Sequence, residues 1–410
     1  MNERRVIVFA LALLAFMLAL AGLLIQTSIL EVTGDFGHRT QWKWVFLSCA
    51  AAGIVPFLQF RMVMRRSYDI FVLTLILLAL VPLIGVSRNF SQRWLEIGGF
   101  SLQPSELMKI AFVLALARLL RFRGDFSRFR NLVPAGALVA LPVGLIFAQP
   151  DLSTAILFVP TALSMLFVAG AEKKHIGMIL CGGALAASIV FAFFLEPYQR
   201  ERVFSTFGSN TLTKAERARE GYQLEQSINS IAIGGFTGQG WSQGTQNRLN
   251  KLPYRHNDFI FAVLAEEFGF LGCTALFACI LLLLLLVLRV AYLTRDVAGR
   301  LTCVGLGTMF ACQSLVHIGV NLGIVPTTGM TLPFVSAGGT SLLTFSVAVS
   351  IVASIAKEPA RGFGGPSVRE QLARLEVLAG IRKHRNRPVS ALQHSGPMVE
   401  SKSKSDRLRS

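Results

Sequence analysis

Runs of apolar residues, each long enough to cross a bilayer and separated by short polar turns, fill the first 356 positions of the chain. A transmembrane helix needs about 20 mostly apolar residues. Ten runs meet that description, near 6–29, 42–60, 70–86, 104–121, 132–148, 152–170, 176–195, 259–289, 301–323 and 338–356. They predict an all-α polytopic membrane protein of about ten transmembrane helices. Only a tight turn at Gln149-Pro150-Asp151 separates the fifth run from the sixth. The first run follows Arg4 and Arg5 and contains Ala19-Leu20-Ala21, which resembles a signal-peptide cleavage site. Its apolar character continues through Ile25, so it is predicted as an uncleaved first helix. No internal repeat is strong enough to predict an inverted-repeat transporter.

Charge orients these spans. Short loops on the cytoplasmic side of a membrane carry the excess of Lys and Arg. One alternating set (1–5, 61–69, 118–130, 171–175 and 289–300) holds 15 of them. The opposite short loops hold four, at Arg39, Lys43, Arg88 and Arg93. The first set is therefore cytoplasmic, and an even number of spans puts both termini inside. Three features then face outward: the loop around RWLEIGGFSLQPSE, a large loop at 196–258 between the seventh and eighth helices, and GIVPTTGMTLPFVSAGG at 323–339. The last has enough Pro and Gly to break a helix, and irregular backbone at membrane depth is tolerated only where protein buries it or it lines a wet cavity. An exoplasmic cavity is expected. The membrane domain is read as 1–356. Residues 357–410 read as a basic, disordered cytoplasmic tail. Within it VREQLARLEVLAGIRKHR is either a short amphipathic helix on the anionic inner leaflet or simply solvated.

Composition agrees. Charged residues make up 15% and mean hydropathy is +0.56, against about 25% charged residues in soluble domains. The net charge of +17 is spread over the short loops and the tail, which argues against nucleic acid binding. All six cysteines fall within apolar stretches and none has zinc spacing.

The candidate chemistry centres on LPYRHNDFIFAVLAEEFG, 252–269. Asp258 directly precedes an apolar run. It reads equally as a helix N-cap and as a general base beside Arg255 and His256. Glu266 and Glu267 sit inside the run. In a regular helix Glu266 is roughly 12 Å along from Asp258 and about 80° around, so no close carboxylate dyad is expected. Intramembrane acids usually face the bundle interior and pair, so these two are read as structural, pairing or capping a broken helix, with direct function as the alternative. Glu106 and Lys109 share a helix face, as a mutual ion pair or as a base aimed into the cavity. Arg200 and Arg202 either snorkel or recognise phosphate. Asp151 is read as a helix cap, His317 as satisfied by a neighbouring helix, and GGFTGQGWSQG (234–244) as a tight exoplasmic loop, not a P-loop.

Seven motifs then carry a resemblance: QPSELMK (103–109), PDLSTA (150–155), PYQRERV (197–203), YQLEQS (222–227), GTQNRL (244–249), HNDFIFAVLAEE (256–267) and NLGIVPTTGMTLPFVSAGGTS (321–341). In this order they resemble the SEDS family (shape, elongation, division and sporulation), nearer its RodA branch than its FtsW branch. The resemblance implies a peptidoglycan glycosyltransferase of the bacterial cytoplasmic membrane. Such a protein polymerises lipid II at the outer face and works with a class B penicillin-binding protein. It places the family's essential aspartate on Asp258. It makes Lys109, Arg200, Arg202, Gln103, Glu106, His256 and Ser336 candidate pyrophosphate or sugar ligands. Asp151, Glu266, Glu267, Gly338 and Gly339 become supporting residues. No cofactor is required, and a divalent cation (Mg or Mn) has room beside the pyrophosphate. The chain departs from the family pattern at Tyr254, where Glu is usual, and at Asn257, Ser153 and Ala337. The implied reaction is one inverting displacement. Asp258 takes the acceptor hydroxyl proton, and cationic groups meet the departing pyrophosphate. A lipid II flippase, a septal polymerase and a non-catalytic scaffold are the alternatives.

Overall fold

The computed structural model describes residues 3–33, 38–88, 91–122, 129–149, 151–193, 222–249 and 256–358. The tail, residues 194–221 and residues 250–255 lie outside them. Each of the ten apolar runs coincides with a helix: α1 (Glu3–Thr33), α2 (His38–Ile54), α4 (Ser67–Ile84), α5 (Pro104–Phe122), α6 (Val133–Ala148), α7 (Leu152–Val168), α8 (Lys173–Phe193), α11 (Ile260–Leu293), α12 (Val297–Asn321) and α13 (Gly339–Lys357). Shorter helices are α3 (Phe60–Arg65), α9 (Tyr222–Gly234) and α10 (Thr245–Arg248). Among the described residues, α1, α4, α11, α12 and α13 are each long and apolar enough to cross a membrane. Large apolar side chains such as Phe9, Phe46, Leu83 and Leu285 point outward from the bundle. In water that face would be an aggregation liability; in lipid it is ordinary.

α5 is the axis of the bundle. It packs against α4, α6, α7, α12 and α13, and 14 of its 19 residues are buried. That burial explains how one span can carry Glu106, Lys109, Arg118 and Arg121, since intramembrane charges face the protein interior. α12 crosses α5 closely at Gly305, where a Cβ would lie 2.7 Å from Val113 Cγ1.

Contacts between helix ends reveal two faces. At one, Arg4 donates to the Glu358 carbonyl, Arg61 Nε lies 3.8 Å from the Glu358 carboxylate, Arg118 donates to the Met64 carbonyl and Arg289 pairs with Glu3. Burial pushes the Glu358 carboxyl above the usual range, against the opposing pull of the Arg61 amide and guanidinium. At the other face the ends of α1, α4 and α12 meet the starts of α5, α7, α11 and α13.

Three features depart from the expected pattern. The loop after α4 is a three-stranded antiparallel meander, β1 (Val86–Arg88), β2 (Ser91–Ile97) and β3 (Phe100–Leu102), with Gly98 and Gly99 at positive φ in the turn. The polar stretch 61–69 is largely helical. And α11 is broken: Gly269 has φ 63°, and segment 234–240 docks against the break. There Gln239 N and Gly240 N donate to the carbonyls of Glu266 and Glu267, while Phe270 N donates to the Gly235 carbonyl. The glycine-rich stretch is thus not a free-standing loop. Gly238 (φ 81°) leaves no room for a Cβ, which would meet the Glu267 carbonyl at 2.2 Å.

Candidate active site

Asp258 lies two residues before the first helical residue of α11. The N-cap is Phe259, and no side chain caps this end. Of the two readings of Asp258, helix N-cap and general base, the N-cap position belongs to Phe259 instead. Its carboxylate is half-buried, at the face where the polar helix ends meet.

The backbone that carries it is held from two directions. Asn321, at the end of α12 and fully buried, donates through Nδ2 to the Asp258 carbonyl (3.0 Å) and to the His317 carbonyl (2.9 Å). Its Oδ1 accepts from the Ala262 amide (3.1 Å). Opposite, the turn at 332–337 grips the preceding residues. Ser336 Oγ donates to the Asn257 carbonyl (2.8 Å) and accepts from the Leu332 amide (2.8 Å). The Ala337 amide donates to the His256 carbonyl (2.9 Å). Phe334 adopts φ 67° inside this turn, a conformation that a bulky residue holds only when its surroundings impose it. Those surroundings are Phe310 and Phe345, whose rings pack on it, and Gln26 of α1, which donates to the next carbonyl, of Val335 (2.9 Å). Ser336, expected among sugar ligands, has its hydroxyl engaged within the protein and is a positioning residue here.

Below the turn runs a buried polar chain. Lys109 Nζ donates to Glu106 Oε1 and to Gln313 Oε1, both at 2.6 Å, and lies 5.7 Å from the centre of the Phe345 ring. Gln313 Nε2 donates to the Thr331 carbonyl (2.9 Å), and Thr331 Oγ1 donates to Ser341 Oγ. Lys109 is 3% exposed. Lys109 and Glu106 thus form the mutual ion pair, one of the two arrangements expected of them, with Gln313 as a second acceptor for the ammonium. Gln103 turns its amide to Asp151 (3.4 Å) and takes the Thr340 hydroxyl at its backbone N–H (3.2 Å). Asp151 accepts from the Thr154 amide, capping α7 as expected, and pairs with Arg93 at 3.5 Å. A Cβ on Gly339 would enter the Trp44 ring, and Gly338 is the N-cap of α13.

Glu266 and Glu267 are fully buried supports. Glu266 accepts from the Gln246 amide (2.6 Å) at the start of α10. Glu267 accepts from Ser28 of α1 and from Asn247 (3.3 Å). They tie α1, α10 and α11 together. His317 Nδ1 lies 2.8 Å from the carbonyl of Met330, in the irregular segment after α12 and not in a neighbouring helix, while its Nε2 is buried without a hydrogen-bond partner among the described residues. Arg200, Arg202 and Tyr254 lie outside the described residues. Among those that are described, no three His, Cys, Asp or Glu gather as metal ligands. Asn321 and Gln313 were not expected. Asn321 opens the NLGIVPTTG motif and Gln313 lies in the middle of an apolar helix, and both polar placements are readable signals.

The chemistry this allows is proton acceptance by one carboxylate on fixed backbone. Residues 4–361 match the protein family described as Cell cycle protein, FtsW/RodA/SpoVE. The chain is 36% identical over 375 residues to a probable peptidoglycan glycosyltransferase FtsW of Aliivibrio salmonicida, covering 87% of this chain and 90% of that one. It is 36% identical over 310 residues to the peptidoglycan glycosyltransferase MrdB of Escherichia coli K12, covering 74% and 83%. A chain of a solved peptidoglycan synthase complex, described as coordinating polymerization and crosslinking, superposes with a TM-score of 0.73 at 30% identity, covering 85% of this chain and 97% of that one.

Proposed function

The chain belongs to the FtsW/RodA/SpoVE family of cell-cycle proteins, and from that premise we propose that it is an inverting peptidoglycan glycosyltransferase. Its substrates are two lipid-linked disaccharides, lipid II, at the outer face of the bacterial cytoplasmic membrane. Asp258 accepts the proton of the acceptor's sugar hydroxyl as that oxygen attacks the donor's anomeric carbon. The bond from that carbon to the pyrophosphate breaks, and the configuration inverts. One base suffices for one displacement, which suits a lone carboxylate. Charge grows on the pyrophosphate as it departs. With Lys109 engaged by Glu106 and Gln313, Arg200 and Arg202 are the groups proposed to meet it.

The observation that carries this reading is the half-exposed Asp258 carboxylate on backbone clamped by Asn321, Ser336 and Ala337. A flippase needs groups for its substrate at both faces. Here Arg4, Arg61, Arg118 and Arg289 at the opposite face are engaged with Glu3, Glu358 and backbone carbonyls. Elongation, with a class B penicillin-binding protein as partner, is the role proposed, from the PYQR and GTQ segments. The test is polymerisation of lipid II by the purified chain with that partner. Asp258→Asn is expected to abolish glycan strands while leaving folding and partner binding intact. Equal polymer from both chains removes Asp258 from the mechanism.

A further inference from the structure

A groove of about 400 Å³ runs between α1, α2 and α13, away from the site just described. Small residues keep it open: Ala12 and Ala15 of α1, Ala52 and Gly53 of α2, Ser350 and Ala353 of α13. On each helix the lining residues belong to one face, recurring at three- and four-residue steps. Phe334 and Leu342 line one end, and Phe57 and Lys357 the other. Leu342 to Lys357 is 15 helical steps, or roughly 22 Å, which exceeds one leaflet's half-share of a hydrocarbon core about 30 Å thick. The groove therefore has the length and width of one extended hydrocarbon chain, and its wall is almost wholly apolar.

Its polar end identifies the occupant. Lys357 is exposed, and its ammonium lies 5.1 Å from the centre of the Phe57 ring, at the mouth of the groove. The adjacent Glu358 carboxylate turns to Arg61 instead. Among the described residues no acid lies within ion-pair distance of Lys357. This mouth is at the face where Arg4, Arg61, Arg118 and Arg289 gather, opposite Asp258. A substrate reacting at Asp258 has its phosphates at the far end from Lys357. An anionic headgroup in the cytoplasmic leaflet is at the near end, and a basic pocket between helices on that side recognises such headgroups. We propose that the groove holds one acyl chain of an anionic phospholipid of the cytoplasmic leaflet, its phosphate at Lys357 and its chain tip against Phe334.

Binding, not polymerisation, is the readout, so failure of this proposal is separable from failure of the catalytic one. The full chain is purified in mild detergent and given equal phosphatidylglycerol and phosphatidylethanolamine, and retained lipid is counted by native mass spectrometry. One phosphatidylglycerol should remain, with roughly the fivefold preference that one basic residue near the surface supplies. Lys357→Gln should bring that ratio near one. Gly53→Phe should remove the retained lipid. No atom lies within 4 Å of a Cβ at Gly53, so the ring enters open groove without moving backbone. Should that variant not fold, as judged by its thermal melt, Ala353→Leu replaces it. Phosphatidylglycerol retained undiminished by the filled groove, or no preference in the native chain, overturns the proposal. A third arm adds polyprenyl phosphate. Its loss from Gly53→Phe while phosphatidylglycerol persists would assign the groove to an isoprenoid tail instead.

Discussion

Asn321 joins three backbone groups with one side-chain amide: the Asp258 carbonyl, the Ala262 amide and the His317 carbonyl. It fixes the base by holding the chain on both sides of the start of α11. Removing it takes a donor from the Asp258 carbonyl, a loss of about 1–3 kcal/mol, while the Ala262 amide keeps its second bond to the Phe259 carbonyl. It also frees the carboxylate to wander, and a misplacement of about 1 Å can cost 10²-fold in rate. Asn321→Ala should therefore lower the polymerisation kcat by roughly 10- to 100-fold with little change in KM. Asn321→Asp keeps the acceptor for Ala262 but loses both donated bonds, and should fall between. Native rates from Asn321→Ala would mean that the clamp is not needed. Asp258 itself was legible in the sequence, as an acid at the rim of an apolar run. Asn321 and Ser336 are visible as polar positions, but their hold on Asp258 and Asn257 was not legible, because they lie 63 and 79 positions from them, a separation no local pattern encodes.

At the scale of elements, the long helices were readable to within a few residues and the irregular ones were not. Apolar runs announce helices because lipid demands that every backbone group be satisfied within the segment. The break in α11 has no such signature. Gly269 alone in an apolar run looks like a tolerated helical glycine, and only the docked segment 234–240 explains its positive φ. The β-meander did carry a signal, since Gly98-Gly99 between short alternating segments is a hairpin pattern. Strands of three, seven and three residues are too short to stand out from a loop by pattern alone. Gly269→Ala tests the docking. A Cβ there would lie 2.3 Å from the Gly238 amide nitrogen, on backbone already at φ 63°. The variant should lose stability by several kcal/mol, since backbone strain and a backbone clash add. Limited proteolysis should cut near 234–244 in the variant and spare the native chain. Equal protection in both would show that the break does not depend on glycine.

For the whole molecule, the two faces differ in kind. One gathers arginines onto carbonyls and onto Glu3 and Glu358; the other gathers amides and hydroxyls around Asp258. This asymmetry fits the count of basic residues in the loops, and it makes a sided test simple. In a chain stripped of its six cysteines, a single cysteine at Gln92, exposed on β2, should react with a membrane-impermeant maleimide in intact cells. One at Arg66, exposed between α3 and α4, should react only after permeabilisation. The reverse pattern would invert the molecule and remove Asp258 from the outer face.

The buried axis bears on how such a chain is assembled. A helix with four charged residues, two of them buried near its outer end, is less suited to entering lipid alone than its apolar neighbours, because ionised groups inside a membrane are costly. α4 precedes it, is strongly apolar, lies against it and is joined to it by the short meander. A hairpin of α4 and α5 covers one side of the charged helix, and α12 and α13, made last, complete its enclosure. The order of the genetic message and the geometry of the finished protein are opposed at this helix. Full cover for its charges comes only with two segments encoded roughly 200 residues later.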